Sequence, residues 1–355
     1  KLDARPPKPP PQPGAAPGGD WAGPFAVPTM NDDAGNGSLA DAARRTADYW
    51  RRRSGTTVDT PGGAVPAVKM ADSLDFIAGL DSADSAGFLR ALSTRFQAYE
   101  SLPGPGASGK VTGYFAPVIP VYDRPRPGTV AVLAKPADLG TRKPYFTAAQ
   151  IHAGALSGRG LELYYTKSGD LLDLQIEGSG FGELPDGSRV SLNYAAGNGY
   201  RFRSVSASLA DPECALTPRV LNPIQLSAHL DSLPIETQRK ALALNPSYVF
   251  FSASRGGAPG GSTGIALVGG RSAAVDPAFI PMGAAAVLVS KRPLVDASGT
   301  ITGYQDFARI IFSHDKGGAI KGGARVDLYF GEGRAAQAVG NRMNQKGRLF
   351  LLVPR

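Results

Sequence analysis

A single cysteine, Cys214, occurs in the 355 residues, so no disulfide can close within the chain and a centre built from several thiolates is excluded. Histidine is nearly as scarce. His152, His229 and His314 stand far apart and no HExxH occurs, which argues against a zinc site. No apolar run approaches the roughly 18 residues that a membrane-spanning helix needs. The opening residues carry neither a basic segment nor an apolar one, so the expectation is a cytosolic chain or one whose signal was removed before Lys1. No repeat of solenoid or propeller period is found. Basic residues are scattered, without interleaved aromatics. The net charge of +8 therefore permits an anionic partner, such as lipid headgroups or a cell-wall polymer, while the pattern points away from nucleic acid.

Glycine (45) and proline (30) are abundant, which suits short strands joined by turns rather than a helical bundle. The length suits two domains. Residues 1–27 are Pro/Gly-rich and read as a semi-extended tether. A helix is expected over 38–55, with Ser38 as N-cap and Gly55 as stop, and another over 81–102, with Phe88, Leu89, Leu92, Phe96 and Tyr99 as core contacts. From Gly113 the texture turns to strands: "GYFAPVIPVYDRP", "LELYYT", "DLLDLQIEGSGFGEL" and "SRVSLNYA", with Asp186-Gly187 as a hairpin signal. A helix-rich stretch over 204–244 precedes a second strand block that includes "PSYVFFSAS", "GIALV", "AAAVLVS" and "RLFLLVP". The fold class is mainly β with flanking helices.

Two glycine-rich segments imitate nucleotide loops. "GPGASGK" (104–110) is followed by Val111 where a hydroxyl should reach magnesium, and "GSGFG" (178–182) lacks the dinucleotide spacing. More informative is "HDKGGAIKGGARVDLYFGEG", His314 to Gly333. A strand is expected to end at Asp315, the glycines to make a tight return, and a second strand to place Val326, Leu328 and Phe330 on one face with Asp327 and Tyr329 on the other. A mid-strand carboxylate beside an aromatic suits a sugar cleft, where desolvation raises its pKa as a general acid requires. A charge on a solvated strand face is the plainer account. In "LQIEGSG", read as strand, Gln175 and Glu177 share the face opposite Leu174 and Ile176. Thr112 and Tyr114 precede the first β block, and Asp276 before a proline suits an Asx-type turn.

Taken in order, "VTGYFAPVIP", "GALSGRGLELYY", "LQIEGSGFGELPDGSRVSLNYAAGNGYRFRSV", "NPSYVFF", "RSAAVDPAFIPMG" and "DKGGAIKGGARVDLYFGEG" resemble the signatures of the MltA family, the membrane-bound lytic murein transglycosylases A. The resemblance runs from about residue 111 to 354, and Asp276, Asp315 and Asp327 correspond to the aspartates that name the family's 3D region. Lys316 departs from the pattern, where a small or uncharged residue is expected. The resemblance implies a double-psi β-barrel assembled from residues 28–117 and 246–355, a smaller β domain inserted over 118–245, and a glycan groove between them. It implies cleavage of the β-1,4 bond between N-acetylmuramic acid and N-acetylglucosamine, leaving 1,6-anhydromuramoyl ends, with Asp327 catalytic and Asp315 in support. Thr112, Gly113, Tyr114, Gln175, Gly178, Ser179, Asp276, Gly317, Gly318 and Tyr329 are expected to bind substrate. No cofactor or metal is needed. Peptidoglycan strands are the expected partner of a periplasmic monomer, held to a Gram-negative outer membrane by a lipid not in this sequence, with cell-wall synthesis proteins as further candidates. A hydrolase using two carboxylates and a non-catalytic wall-binding module are the alternatives.

Overall fold

The computed structural model describes residues 19–355, apart from 82–83, 105–106, 206–222, 258–259 and 297–299. Most of the expected tether lies outside these residues, but it does not extend to position 27. Trp21–Phe25 (β1) pairs antiparallel with residues 98–101. Helix α1 (Asn36–Arg51) buries Leu39, Ala42, Ala43, Ala47 and Trp50, one apolar stripe at helical spacing. Gly35, not Ser38, is its N-cap, and the helix ends before Gly55; the Ser38 hydroxyl donates back to the Ala34 carbonyl at 2.8 Å. The hairpin of β2 (Thr57–Thr60) and β3 (Gly63–Pro66) leads into α2 (Ala67–Ala78).

The helix expected over 81–102 is two elements. Asp84 caps α3 (Ser85–Arg95) by accepting the Gly87 amide at 2.9 Å, and Phe96–Ser101 is a strand, β4. Phe88 and Leu92 are buried from the helix, whereas Phe96 and Ala98 are buried from the strand, so the apolar period changes from 3.6 to 2 at Phe96.

Next come β5 (Lys110–Ala116), β6 (Val118–Pro120), β7 (Thr129–Leu133), α4 (Ala148–His152) and β8 (Glu162–Lys167). "GPGASGK" thus runs into a strand, not the helix that a phosphate loop requires. The run "DLLDLQIE", read as strand, lies in helix α5 (Ser168–Glu177). It buries Leu171, Leu172 and Leu174 together, and Gly178 stops it in the left-handed conformation at φ 80°. Strands β9 (Gly180–Glu183) and β10 (Arg189–Gly197) form the hairpin expected at Asp186-Gly187. Of the helix-rich stretch, 206–222 lies outside the described residues; α6 (Pro223–Ser232) and α7 (Ile235–Ala243) follow it. The four-stranded sheet β11-β10-β9-β6 takes its edge strand β11 (Val249–Arg255) from beyond position 245, past the expected end of the insert.

The remaining elements are β12 (Ser272–Ala274), β13 (Ala285–Val295), β14 (Ile301–Asp315), β15 (Arg325–Glu332), α8 (Gly333–Gly340), β16 (Asn344–Lys346) and β17 (Arg348–Pro354). "GIALV" is not a strand, although Ile265 and Val268 are buried. A nine-stranded mixed sheet runs β1-β4-β17-β13-β14-β12-β15-β5-β16, so it draws on both ends of the chain. Its two faces bury separate cores by simple alternation. Val287, Ile310, Phe312 and Phe350 pack under α1 and α2, while Ala286, Leu288, Ile311 and Leu349 meet Val111, Val326 and Leu328 on the other face. The sheet curls back on itself, and Ser290 Oγ of β13 donates to the Lys346 carbonyl of β16 at 2.9 Å. No helix among the described residues is long and apolar enough to cross a membrane.

Candidate active site

Asp327 is the third residue of β15. On one side it lies opposite Thr112 of the parallel strand β5, and on the other opposite Ala274 of β12. Ala274 is also the register partner of Asp315, at the end of β14. The glycine return therefore does not bring two adjacent strands together. Strand β12 lies between them and holds the aspartate Cα atoms about two strand spacings, roughly 10 Å, apart. Asp276 serves that return rather than the cleft. One of its carboxylate oxygens accepts the Gly322 amide at 2.9 Å and the other the Ala278 amide at 3.2 Å, an Asx turn that also ties down the loop. Gly317 is packed so that an added Cβ would lie 2.7 Å from Ile320, and Gly318 borders open space.

Thr112 Oγ1 donates to Asp327 Oδ1 at 2.5 Å. Asp315 Oδ1 accepts the amides of Ser262 and Lys316 at 2.8 and 2.9 Å, and Tyr114 reaches Oδ2 at 3.5 Å. Lys316 thus serves the site through its backbone, which any residue but proline supplies, while its side chain is exposed. Burial raises the Asp327 carboxyl above the usual range and the Asp315 charge adds to this, against the Thr112 bond and Arg325. Burial also raises Asp315, against the bonds from Ser262, Lys316 and Tyr114. The Tyr114 phenol is pushed well up by burial and then by both aspartates, so it remains a neutral donor. Its ring packs 5.1 Å from that of Tyr329, which is buried beneath the site.

Because α5 is a helix, Gln175 and Glu177 point about 200° apart instead of sharing a face. Gln175 Nε2 is buried with no hydrogen-bond partner among the described residues. Glu177, placed with Gln175 in the strand reading but not among the residues expected to bind substrate, accepts the Phe115 amide at 3.3 Å, next to Tyr114 in the chain. Gly178 ends the helix, and Ser179 Oγ accepts the Tyr194 amide at 3.0 Å. An added Cβ at Gly113 would meet Phe330 at 2.6 Å, so that glycine allows β5 and the Phe330 ring to pack closely. Thr112, Tyr114, Asp315, Asp327 and Tyr329 form the chemical cluster; Gly113, Gly178 and Ser179 shape the elements around it. His314 belongs to the core. Its ring nitrogens meet Thr46 and Ser272 hydroxyls, both at 2.8 Å, and burial lowers its pKa to about 3.

A cavity of about 340 Å³ lies between α5, α6 and α8, lined by Asp170, Asp173, Asp231, Lys167 and Arg334 among others. Burial raises Asp170 and Asp173 to about 6 each. A carboxyl raised on folding contributes stability that is full below about pH 4 and lost by about pH 6. Asp170→Asn should therefore be more stable than the parent at pH 7, by about 1–3 kcal/mol, with the difference vanishing near pH 4. Urea unfolding at the two pH values measures this. Among the described residues no group of His, Cys, Asp and Glu is arranged to hold a metal ion.

Residues 110–252 match the model of the MltA-specific insert domain, and residues 271–353 that of the 3D domain. The membrane-bound lytic murein transglycosylase A of Escherichia coli K12 is 32% identical over 244 residues, and that of Vibrio cholerae is 34% identical over 248. Each match covers 68% of this chain and 64% of the relative, just under two thirds of the relative's length. Escherichia coli MltA with bound chitohexaose has a TM-score of 0.71 at 25% identity, over 95% of this chain and 96% of that one. The lytic transglycosylase LtgG of Burkholderia pseudomallei gives 0.62 at 28%, over 95% and 97%.

Proposed function

The chain belongs to the MltA family, and from that premise we propose that it is a lytic transglycosylase, cleaving the β-1,4 bond between N-acetylmuramic acid and N-acetylglucosamine in peptidoglycan and leaving a 1,6-anhydromuramoyl end. The observation that carries this reading is the Asp327 carboxyl, held by Thr112 at 2.5 Å and raised by burial toward the protonated form that an acid needs. Glycosidases ordinarily use two carboxyls, about 5–5.5 Å apart for retention or about 6.5–9.5 Å for inversion. Here the C6 hydroxyl of the muramoyl residue is the nucleophile, so no carboxylate has to activate water. Asp327 gives its proton to the leaving glycosidic oxygen as the bond to C1 breaks. The C6 oxygen then closes on C1, and the Asp327 carboxylate takes the hydroxyl proton, which restores the acid. Intramolecular attack benefits from proximity. Asp315, fixed by two amides and Tyr114, orients the sugar and keeps negative charge near Asp327.

The nine-stranded curled sheet is read as the double-psi barrel, with residues 28–117 and the chain after β11 as its two parts, and the insert runs from 118 through β11 rather than ending at 245. The draw of that sheet on both chain ends supports this division. The groove between them takes glycan strands, in keeping with the chitohexaose bound by the Escherichia coli protein. Periplasmic residence at the outer membrane through a lipid, with the chain a monomer that meets cell-wall synthesis proteins, completes the reading. Mass spectrometry of the muropeptides released from purified murein sacculi tests it. Anhydromuramoyl ends are expected. Reducing N-acetylmuramic acid ends would instead identify a hydrolase, and no release would leave a wall-binding module.

A further inference from the structure

The rung of the sheet that holds Asp327 has a basic neighbour. Asp327 of β15 lies opposite Thr112 of β5, and Thr112 lies opposite Asn344 of β16. One rung further on the same three strands, Arg325 lies opposite Lys110, and Lys110 opposite Lys346. Register partners share a face, and so do residues two apart along a strand, so the three cations stand in a row on the face of Asp327, about 7 Å from its rung. Val326 and Val111, between the two rungs, point the other way and are buried, whereas Lys110 and Lys346 are exposed and Arg325 is half-buried. Like charges directly opposite each other destabilise a sheet. Nearby cations have carboxylate partners: Lys291 of β13 meets Asp306 at 3.3 Å, and Arg348 of β17 meets Glu100 at 2.7 Å. Among the described residues the row itself forms no ion pair. Arg325 Nη1 donates to the Val326 and Lys110 carbonyls at 2.7 and 3.5 Å, while Nε and Nη2 have no hydrogen-bond partner among those residues. Burial lowers the Arg325 guanidinium against the charge of Asp327, and Arg325 in turn opposes the rise in Asp327, as two groups on one face do.

We propose that Arg325, Lys110 and Lys346 form an anion subsite beside the acid, which takes a carboxylate carried on the C3 arm of the muramoyl residue and so selects the bond presented to Asp327. The two sugars of the strand alternate, and only the muramoyl residue bears an acid. Its C3 carries a lactyl ether, whose carboxyl is free on a bare strand and bonded to a carboxylate-bearing peptide on an intact one. N-acetylglucosamine is neutral. The C6 attack needs the muramoyl residue on the C1 side of the broken bond. A strand shifted by one sugar would offer the row a neutral residue and leave its charges without an anion. The C3 arm reaches several bonds away from C1, in keeping with cations one rung from the acid rather than on it. Two lysines and an arginine suit carboxylates that vary in position, since an ammonium is a mobile point charge and a guanidinium a fixed fork.

This inference rests on the lytic reading, and the test separates the two. Equilibrium binding is measured in Asp327→Asn protein, so that the strands stay whole, with and without the double change Lys110→Gln and Lys346→Gln. The ligands are soluble glycan strands bearing their peptides, strands stripped of them, and chitohexaose, which is neutral. Thermal midpoints check folding. The double variant is expected to raise the Kd for anionic strands about three- to tenfold, as the loss of two exposed charge contacts implies. That difference is expected to shrink in about 0.5 M salt, and chitohexaose to bind both proteins alike. A loss confined to peptide-bearing strands assigns the anion to the peptide carboxylates, one confined to stripped strands to the lactyl carboxylate, and one on both to either. Unchanged affinity for both kinds of strand overturns the proposal, and so does an equal loss on chitohexaose. Strand affinity kept while binding to phosphatidylglycerol vesicles is lost also overturns it, since the row would then face a membrane. A parent enzyme that forms no anhydro ends overturns the lytic reading instead and leaves the binding comparison standing.

Discussion

Asp327→Asn is expected to slow muropeptide release from purified sacculi by about 10²- to 10⁴-fold, the usual contribution of a positioned general acid. The change is nearly isosteric. The asparagine carbonyl can still accept from Thr112 Oγ1, and Val326 and Leu328 on the opposite face of β15 remain packed. What is lost is the proton given to the leaving oxygen and the carboxylate that later receives one. Both losses fall on kcat, since glycan binding uses the walls of the groove rather than this proton. Turnover is read by chromatography and mass spectrometry of the soluble products, and the melting temperature is compared in parallel. A variant that releases anhydromuropeptides at the parental rate would remove Asp327 from the role assigned to it.

The largest loss of stability is expected at a pair that never meets substrate. Arg271 is fully buried and takes both Asp32 oxygens, at 2.6 and 2.9 Å. Its remaining donors reach Ser38 Oγ, the Ile310 carbonyl and the Gly35 carbonyl at 2.8–3.0 Å. Asp32→Ala leaves a guanidinium in the interior without its counter-charge, a change that costs about 3–5 kcal/mol. Glu236→Ala, which breaks the exposed pair with Arg239, is the control and should cost at most about 1 kcal/mol. Denaturant unfolding distinguishes them, and equal losses would contradict the account. The pair also bears on the site at a distance. Arg271 immediately precedes β12 and its carbonyl accepts the Phe312 amide of β14, so the same anchor fixes the strand that separates the two aspartates.

Legibility in the sequence followed the physics of each segment. The alternation in "RVDLYF" placed Asp327 on the face opposite Val326 and Leu328, because a strand with one buried face admits one arrangement. Thr112 and Tyr114 are legible from their place before the first β block and from the resemblance, but their partners are visible only through the parallel pairing of β5 with β15. In "DLLDLQIE" four residues of alternation suggested a strand, yet the three leucines fit one helix face and Gly178 supplies the stop. That error put Gln175 and Glu177 on one face, which the helix separates. At Phe96 both periods fit, and pairing with β17 decides for strand. Nothing local in the sequence indicated that β12 lies between β14 and β15, since that order follows from a crossover connection. Nor did it indicate that Asp276 is spent on backbone amides of its own turn and of the return loop.

The position of β12 also bears on how the protein can vary. The separation of Asp315 and Asp327 is set by a hydrogen-bonded ladder of three strands, with Ala274 as the common register partner. The number of residues in the glycine return does not enter that separation. Residues inserted near Gly318, where the chain borders open space, would lengthen a surface excursion and leave the carboxyl spacing unchanged. One residue added within Ser272–Ala274 would shift the register against both flanking strands at once.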